Sequence, residues 1–171
     1  MGRRREGREA AVQYLFAHEM QPADIAAGDE AFWDLHMAKR GVRAFAQELV
    51  KGVLAHLAEI DGCIEGAVEN YSMGRLAGVD RNILRLAVYE LMHSTEAPPP
   101  VVINEAIEIA KKFGAAESGS FVNGILDRIA KGTRRSGRDQ NDGKAPSGTK
   151  DGTDKPQPPA APTSAALPSD L

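Results

Sequence analysis

The stretch that decides the fold is residues 80–91, DRNILRLAVYEL. Its apolar residues recur at spacings of three and four, which places them on one face of an α-helix. They are Ile83, Leu84, Ala87, Val88 and Leu91. Asp80 precedes this stripe and is a residue type that favours the helix N-cap position. The pattern therefore predicts a buried helix that begins at Asp80.

Two more amphipathic stretches follow downstream. We expect Pro98, Pro99 and Pro100 to stop the preceding helix and to form an extended link. The next stripe is closed by Gly114, and Ser118 can cap the last one. The inner positions are Val102, Ile103, Ala106, Ile107, Ala110 and Phe113 in the first stripe and Phe121, Val122, Ile125, Leu126 and Ile129 in the second.

Upstream, the same spacing predicts four helices. The first spans about 4–20 and is stopped by Pro22. The second covers about 30–39 and is separated from the third by Gly41, and the fourth runs from about 60 to 71. The inner positions of the third helix are Val42, Phe45, Leu49, Val53 and Leu57. Because only 5% of residues are aromatic, helices are favoured over sheets. We predict an all-α fold of about seven helices.

Composition narrows the class of protein. A chain of 171 residues with 42% hydrophobic residues is suited to one folded domain. Cys63 is the single cysteine, which excludes an intramolecular disulfide and a zinc site built on several thiolates. No stretch approaches the roughly 18 apolar residues of a membrane helix, and the arginine-rich start is unlike a signal peptide. We therefore expect a cytoplasmic location and no membrane partner.

The last part of the sequence has a different composition. Residues 133–171 contain six of the ten prolines and no Val, Ile, Phe, Tyr or Trp. Such a segment buries too little apolar surface to offset the entropy of ordering. We predict a folded domain over 1–132 and a disordered tail over 133–171.

Four segments together resemble the NusB family. Residues 80–91 (DRNILRLAVYEL), 103–114 (INEAIEIAKKFG) and 120–131 (SFVNGILDRIAK) are similar to the C-terminal signature of that family, and residues 3–16 (RRREGREAAVQYLF) to its arginine-headed first helix. The resemblance implies two small helical bundles packed against each other. It also implies a transcription antitermination factor that binds boxA RNA of ribosomal operons as a heterodimer with the ribosomal protein NusE. The complex then helps RNA polymerase to read through terminators. A homodimer stays open, because some relatives self-associate through the partner surface.

The start of the chain is the first candidate RNA-binding site. The formal net charge is -3, yet four arginines, Arg3, Arg4, Arg5 and Arg8, cluster within the first eight residues. Guanidinium groups pair with phosphates and stack on unpaired bases, and Arg4 and Arg8 lie one helical turn apart. We predict that Arg4, Arg5 and Arg8 bind RNA. The alternative is a frayed, solvated terminus.

Three further RNA-binding residues are predicted. The counterpart of Arg85 lies near the RNA surface in the family that this chain resembles. Phe121 offers a ring for stacking, and Asn123 an amide for hydrogen bonds to single-stranded RNA. The alternatives are a surface arginine with a solvated end group for Arg85, core packing for Phe121 and a local hydrogen bond for Asn123.

The resemblance places the protein partner near the first helix and the start of the fifth. It implies Phe16, Asp80 and Glu117 as partner-binding residues. An exposed aromatic side chain flanked by acids suits a basic ribosomal protein. The alternatives are core packing for Phe16 and helix capping for the two acids.

Catalysis is not expected. HExxH, CxxC, GxGxxG, P-loop and GxSxG patterns are missing from the sequence. Glu105 and Glu108 share a helix face with Lys112, which is typical of a solvated or interhelical charged face. The four histidines, His18, His36, His56 and His93, are scattered, and Cys63 is expected to be a packed thiol. We predict a protein that is not an enzyme and has no cofactor and no metal site.

Two other functions compete with RNA binding. One is a pure protein-interaction scaffold in which the arginines are incidental. The other is the related helical domain at the front of some ribosomal-RNA cytosine methyltransferases. The proline-rich segment argues against the second, because a methyltransferase needs a Gly-rich cofactor-binding strand and a catalytic cysteine motif there.

Overall fold

A computed structural model of the protein describes residues 2–22, 29–36, 39–69 and 71–139. These residues form seven α-helices and a short 3-10 helix (Met73–Arg75), without a β-strand. The helices are α1 (Arg3–Met20), α2 (Asp29–Leu35), α3 (Arg40–Ala55), α4 (Leu57–Ala67), α5 (Gly78–His93), α6 (Pro99–Phe113) and α7 (Ser118–Asp139). The predicted all-α fold is confirmed. In this part of the chain, none of the helices has both the length and the apolar character needed to cross a membrane.

Helix α5 is the central element of the fold. It contacts α1, α3, α4, α6 and α7. Its predicted apolar face is buried, with Ile83, Leu84 and Val88 at most 1% exposed. Burying one such side chain stabilises the fold by about 1.5–3 kcal/mol. The 80–91 segment therefore forms the centre against which the other helices pack.

The other helices form two bundles around α5. Helix α1 packs against α3, and α2 joins them by stacking the Trp33 ring on Tyr14, with ring centroids 5.3 Å apart. On the other side, α6 packs against α7, and α4 contacts both α5 and α7. The first bundle thus carries the arginine-rich start of the chain, and the second carries the SFVNG segment.

Two glycines allow helices to approach closely. A Cβ atom at Gly7 of α1 would lie 2.5 Å from Cδ1 of Phe45, and one at Gly52 of α3 would lie 2.1 Å from Cζ of Tyr89. Both distances are far below van der Waals contact. The aromatic rings of Phe45 and Tyr89 therefore rest directly on the backbone of the neighbouring helix.

Two predicted helix starts are wrong. Helix α5 begins at Gly78 with Ala77 as its N-cap, so Asp80 lies within the first turn and is not the cap. Pro99 and Pro100 are the first residues of α6, whereas only Pro98 is extended. Prolines are tolerated there because the N–H groups of a first helical turn have no partner within the helix.

Smaller differences concern the remaining boundaries. Gly41 lies in the first turn of α3, and Leu57 belongs to α4, because the two helices are separated at His56. Ser118 is the first residue of α7, and its hydroxyl accepts a hydrogen bond from the Ala115 N–H at 2.9 Å. Helix α7 continues to Asp139, seven residues past 132. The rest of the predicted tail, 140–171, lies outside the described residues.

Candidate nucleic-acid interface

The N-terminal turn of α1 forms one side of an open groove. The segment between α5 and α6 and the first turns of α6 form the other side, and the groove has a volume of about 490 Å³. Its charged residues are Arg4, Arg5, Arg8, Glu96 and Glu105. The fold thus brings together the three arginines of α1 that the sequence predicted as RNA-binding, and it places carboxylates beside them.

Arg8 lies at the bottom of the groove and is buried. Its Nε and Nη2 atoms donate hydrogen bonds to the Glu90 carboxylate of α5, at 2.9 Å and 2.7 Å. The exposed fraction is 6% for the Arg8 side chain and 3% for that of Glu90. Breaking a buried pair by removing one partner leaves an uncompensated charge in a low-dielectric region. This pair therefore fixes α1 on α5.

Arg5 is more exposed than Arg8, and Arg4 is more exposed than Arg5. Arg5 donates from Nε and Nη2 to the two Glu105 oxygens at 2.8 Å and 2.7 Å, and 32% of its side chain is exposed. The hydrogen bond from Arg5 lowers the pKa of Glu105 from its ordinary value, although partial burial opposes the shift. Arg4 pairs with Glu96, and 59% of its side chain is exposed. Solvent can reach these two guanidinium groups, unlike that of Arg8.

Arg3 was not among the predicted site residues, yet its position suits an anionic ligand. With Arg4 and Phe45 it lines a second, shallower groove that adjoins the first at Glu96. Arg3 is exposed, and within the described residues no carboxylate lies at ion-pair distance from its guanidinium. The sequence signal was its place in the arginine cluster.

Arg85 is held within the protein. It donates from Nε and Nη2 to Asp61 of α4 at 2.7 Å and 2.8 Å, and from Nη1 to Glu19 of α1 at 2.7 Å. Only 12% of its side chain is exposed. Nη1 also donates to Asn82 Oδ1 at 3.3 Å, so four hydrogen bonds engage the five N–H groups of this guanidinium. The geometry favours a structural role for Arg85.

The two residues of the SFVNG segment lie apart from the arginines. Phe121 is half-buried and packs against the hydrophobic core, whereas Asn123 is exposed on α7. Neither residue lines the arginine groove. A ligand that contacts both regions would have to extend along the surface of the second bundle.

Two of the predicted partner residues, Phe16 and Asp80, lie near the C-terminal end of α1, where α5 begins. The Phe16 side chain is 37% exposed, and its ring lies against Gly78, at the first residue of α5. Met20, one turn further along α1, is 53% exposed and was missed by the sequence analysis, although its spacing of four from Phe16 was a signal. Together Phe16 and Met20 form an exposed apolar surface at this end of the helix.

The two predicted acids differ in exposure. Asp80 is only 8% exposed, and its Oδ1 atom has no hydrogen-bond partner among the described residues. Glu117 is exposed in the turn before α7. The Asp80 Oδ1 atom is therefore closed off from solvent, whereas the Glu117 carboxylate is exposed.

With this geometry established, comparison with known proteins assigns the family. The model of the NusB family matches residues 5–131, which is most of the chain. The chain belongs to the NusB family. Among the family's members, the transcription antitermination protein NusB of Sorangium cellulosum is 46% identical over 140 residues, which cover 82% of this chain and all of that protein. The predicted family and its function class, transcription antitermination, are confirmed.

Solved NusB structures share the fold. A structure of T. maritima NusB superposes with a TM-score of 0.65 at 41% identity, and the match covers 77% of this chain and 92% of that one. A crystal structure of the antitermination factors NusB and NusE in complex with dsRNA gives a TM-score of 0.67 at 30% identity, covering 77% of this chain and 99% of that one. The two-bundle architecture is therefore the NusB architecture.

Proposed function

We propose that this NusB-family chain binds boxA-type RNA of ribosomal operons together with the ribosomal protein NusE and supports processive transcription by RNA polymerase. The proposal includes a non-enzymatic role in the cytoplasm. Its support is the arginine groove, taken with the similarity to a NusB protein that was solved with NusE and RNA. The groove is the observation that carries the proposal for this chain.

The mechanism rests on exchange of anions. Arg4 and Arg5 already bind carboxylates in a geometry that phosphate oxygens also fit, because the guanidinium fork binds carboxylates and phosphates alike. RNA phosphates would replace Glu96 and Glu105 at these two arginines. The replaced carboxylates are partly exposed and can be solvated. Since the exchange gives up existing ion pairs, we expect modest affinity for RNA alone and a clear gain when NusE adds contacts of its own.

The predicted RNA-binding residues divide by accessibility. Arg4 and Arg5 are proposed as direct phosphate contacts, with Arg3 as an additional one. Arg8 and Arg85 are proposed to position α1 and α5, because they are themselves largely buried and their donors are occupied by buried or partly buried carboxylates. Asn123 and Phe121 are proposed as a separate contact on the second bundle, where bases of a longer RNA would lie.

NusE is proposed to bind at the opposite end of α1. Phe16 and Met20 provide an apolar anchor, and exposed aromatic residues are enriched among the side chains that dominate binding energy. The negative charges of Asp80, in the first turn of α5, and of the exposed Glu117 would attract a basic partner from a distance. The RNA and the protein would thus bind at different ends of one helix.

The decisive experiment measures binding of a labelled, single-stranded boxA-type RNA by fluorescence anisotropy, with and without NusE, over a range of salt concentrations. The variant is Arg4→Ala/Arg5→Ala. Each phosphate contact to a single strand contributes about -0.7 to the slope of log affinity against log salt. The double variant should therefore bind at least about tenfold more weakly and lose roughly 1.4 from that slope.

Arg128→Ala is the matched control, because Arg128 is an exposed arginine that donates to the Ala67 carbonyl outside the groove. It should bind RNA like the wild type. If the Arg4→Ala/Arg5→Ala protein binds RNA normally, the groove is not the RNA site. If the wild type ignores RNA and still binds NusE, the chain is a protein-interaction scaffold.

The partner surface has its own test. Phe16→Ala should weaken NusE binding, measured by calorimetry, by at least about 30-fold, since truncating an anchor side chain costs 2 kcal/mol or more. Leu35→Ala on α2 removes an 83%-exposed side chain and should leave NusE binding unchanged. Sedimentation of the protein alone then shows whether a second copy uses the same surface: a homodimer that Phe16→Ala dissociates would establish self-association there.

A further inference from the structure

Two histidines that are far apart in the sequence meet on the side of the first bundle. His56 separates α3 from α4, Glu59 lies in the first turn of α4, and His93 is the last residue of α5. A nitrogen of each histidine and an oxygen of Glu59 all lie within 4.8 Å of one another. The scattered histidines of the sequence gave no sign of this cluster, because the fold brings residues 56 and 93 together.

The position of His56 leaves one ring nitrogen free for a ligand. Its Nδ1 lies 2.9 Å from the Gly52 carbonyl oxygen. A carbonyl only accepts hydrogen bonds, so Nδ1 carries the proton and Nε2 keeps its lone pair. Histidines that bind metals almost always donate their other N–H group to a carbonyl or carboxylate in this way. His56 is therefore already in the tautomer that metal binding through Nε2 requires.

The two rings are held in place by helix packing. The His56 and His93 ring centroids are 4.1 Å apart, and the Tyr89 ring lies beside both, at 6.0 Å and 5.6 Å. Tyr89 itself rests on the α3 backbone at Gly52, where no side chain intervenes. The donors thus come from three helix termini that the hydrophobic core fixes relative to one another.

The identity of the donors selects the type of ion. Two imidazole nitrogens and one carboxylate oxygen are the ligand set of zinc sites that keep one position for water. Calcium and magnesium prefer several oxygen ligands, and a single carboxylate is too few. The Nε2 atom of His93 lies 3.2 Å from Oε2 of Glu59, close to the roughly 3.4 Å between ligand atoms that share a tetrahedral zinc ion. The third donor, a nitrogen of His56, lies within 4.8 Å of both atoms.

We propose that His56, Glu59 and His93 form a binding site for a divalent transition-metal ion of the zinc type, with water completing the coordination. The ion would link the α3–α4 junction to the C-terminal end of α5. The segment that follows His93 contains Glu96, the ion-pair partner of Arg4. An ion at this site would therefore hold one wall of the arginine groove. The site does not depend on whether the groove binds RNA.

Titration of the full-length, metal-free protein tests the site. We expect one equivalent of Zn²⁺ to bind in calorimetry and to raise the Tm, because an ion that binds only the folded state stabilises it by mass action. Co²⁺ should bind in the same place and give the visible absorption bands of a tetrahedral ion with nitrogen and oxygen ligands. Circular dichroism of each variant verifies that the helices are intact.

His93→Asn and Glu59→Gln should each weaken Zn²⁺ binding by at least about tenfold, since even changes in the outer shell of a metal site cost that much. His18→Asn is the matched control, because His18 stacks on Tyr14 in another part of the first bundle. It should bind Zn²⁺ like the wild type. The proposal is overturned if Zn²⁺ binding is not saturable, or if it persists unchanged in folded His56→Asn/His93→Asn protein.

Discussion

The two ends of α1 are joined to α5 by ion pairs of opposite polarity. At the N-terminal end, α1 supplies Arg8 and α5 supplies Glu90; at the C-terminal end, α1 supplies Glu19 and α5 supplies Arg81 and Arg85. At the first end the side-chain exposure of the arginines rises from 6% at Arg8 to 59% at Arg4. At the second end both arginines are at most 12% exposed.

This difference separates arginines that hold the fold from arginines that can bind a ligand. The network at Glu19 also receives a hydrogen bond from Asn82, and Arg81 donates to the carbonyls of Met73 and Leu76. Its two guanidinium groups are thus mostly enclosed by protein. At the other end, one helical turn contains both a buried pair and an exposed one. A run of arginines in a sequence therefore has no single function.

The largest expected effect is at the buried pair. Arg8→Ala leaves the Glu90 carboxylate without its partner in the interior, and we expect the free energy of unfolding to fall by about 3–5 kcal/mol. Urea denaturation followed by circular dichroism measures it. Arg8→Met/Glu90→Leu removes both charges and should recover most of the loss. A loss below about 1 kcal/mol in Arg8→Ala would contradict the view of Arg8 as a structural arginine.

At the other end of α1, we expect a smaller loss of stability. Glu19→Ala removes the common acceptor of Arg81, Asn82 and Arg85, but Arg85 keeps Asp61. Because hydrogen bonds to charged groups contribute about 1.5–3 kcal/mol, the free energy of unfolding should fall by that amount. Glu65→Ala, at an exposed position of α4, is the control and should change little. If the free energy of unfolding is the same in both variants, the network at Glu19 does not stabilise the fold.

Acid should weaken both ends of the helix. Burial on its own raises the pKa of Glu19, but the hydrogen bonds from Arg81 and Asn82 outweigh it and lower that pKa; Arg5 does the same for Glu105. As pH falls, the unfolded state takes up protons first, at its ordinary carboxylate pKa near 4.5. The stability from these groups is therefore complete above about pH 4.5 and is lost as pH falls through the lower, folded-state values.

Thermal unfolding as a function of pH measures this effect. The Tm of the wild type should decline below about pH 4.5, and Glu19→Gln/Glu105→Gln should show a shallower decline from a lower plateau. An equally steep decline in the double variant would assign the acid sensitivity to other carboxylates.

The smallest expected effect on stability is at the exposed ion pair between Arg4 and Glu96, and it tests most directly whether Arg4 can bind a ligand. Glu96→Gln frees Arg4 from its exposed ion pair, so it should change the free energy of unfolding by less than about 1 kcal/mol. It should strengthen RNA binding about 1.4- to fivefold at low salt, the equivalent of the roughly 0.2–1 kcal/mol of such a pair. Glu65→Gln makes the same charge change elsewhere. An equal gain in both variants would point to overall charge and not to release of Arg4.

Much of the fold could be predicted from the sequence, because its apolar spacing is a local property. The stripe Ile83, Leu84, Ala87 and Val88 identified α5 and its buried face correctly. Helix boundaries were predicted less well, since the same residue types are favoured at several positions around a helix end. Asp80 is favourable both as an N-cap and in a first turn, where its negative charge is attracted by the positive end of the helix dipole. Proline is common both at the first helical position and after a helix end.

The site was predictable only in part. That arginines of the first helix lie together followed from helical spacing, but their glutamate partners are 82 to 100 residues away, and no local pattern reports such pairs. Only the packing of α5 and α6 against α1 shows that Arg8 is buried and Arg4 exposed. The same holds for His56 and His93, which the packing of α3 and α4 against α5 brings into contact.

The contact between Gly7 and Phe45 has an evolutionary consequence. The ring of Phe45 occupies the space that a side chain at position 7 would need, and the guanidinium carbons of Arg4 and Arg8 lie 4.4 Å and 5.6 Å from its centroid. One ring thus supports both the exposed and the buried arginine. The summed side-chain volume at positions 7 and 45 should therefore stay constant during evolution. Descendants of this protein that gain a side chain at position 7 should carry a smaller one at position 45.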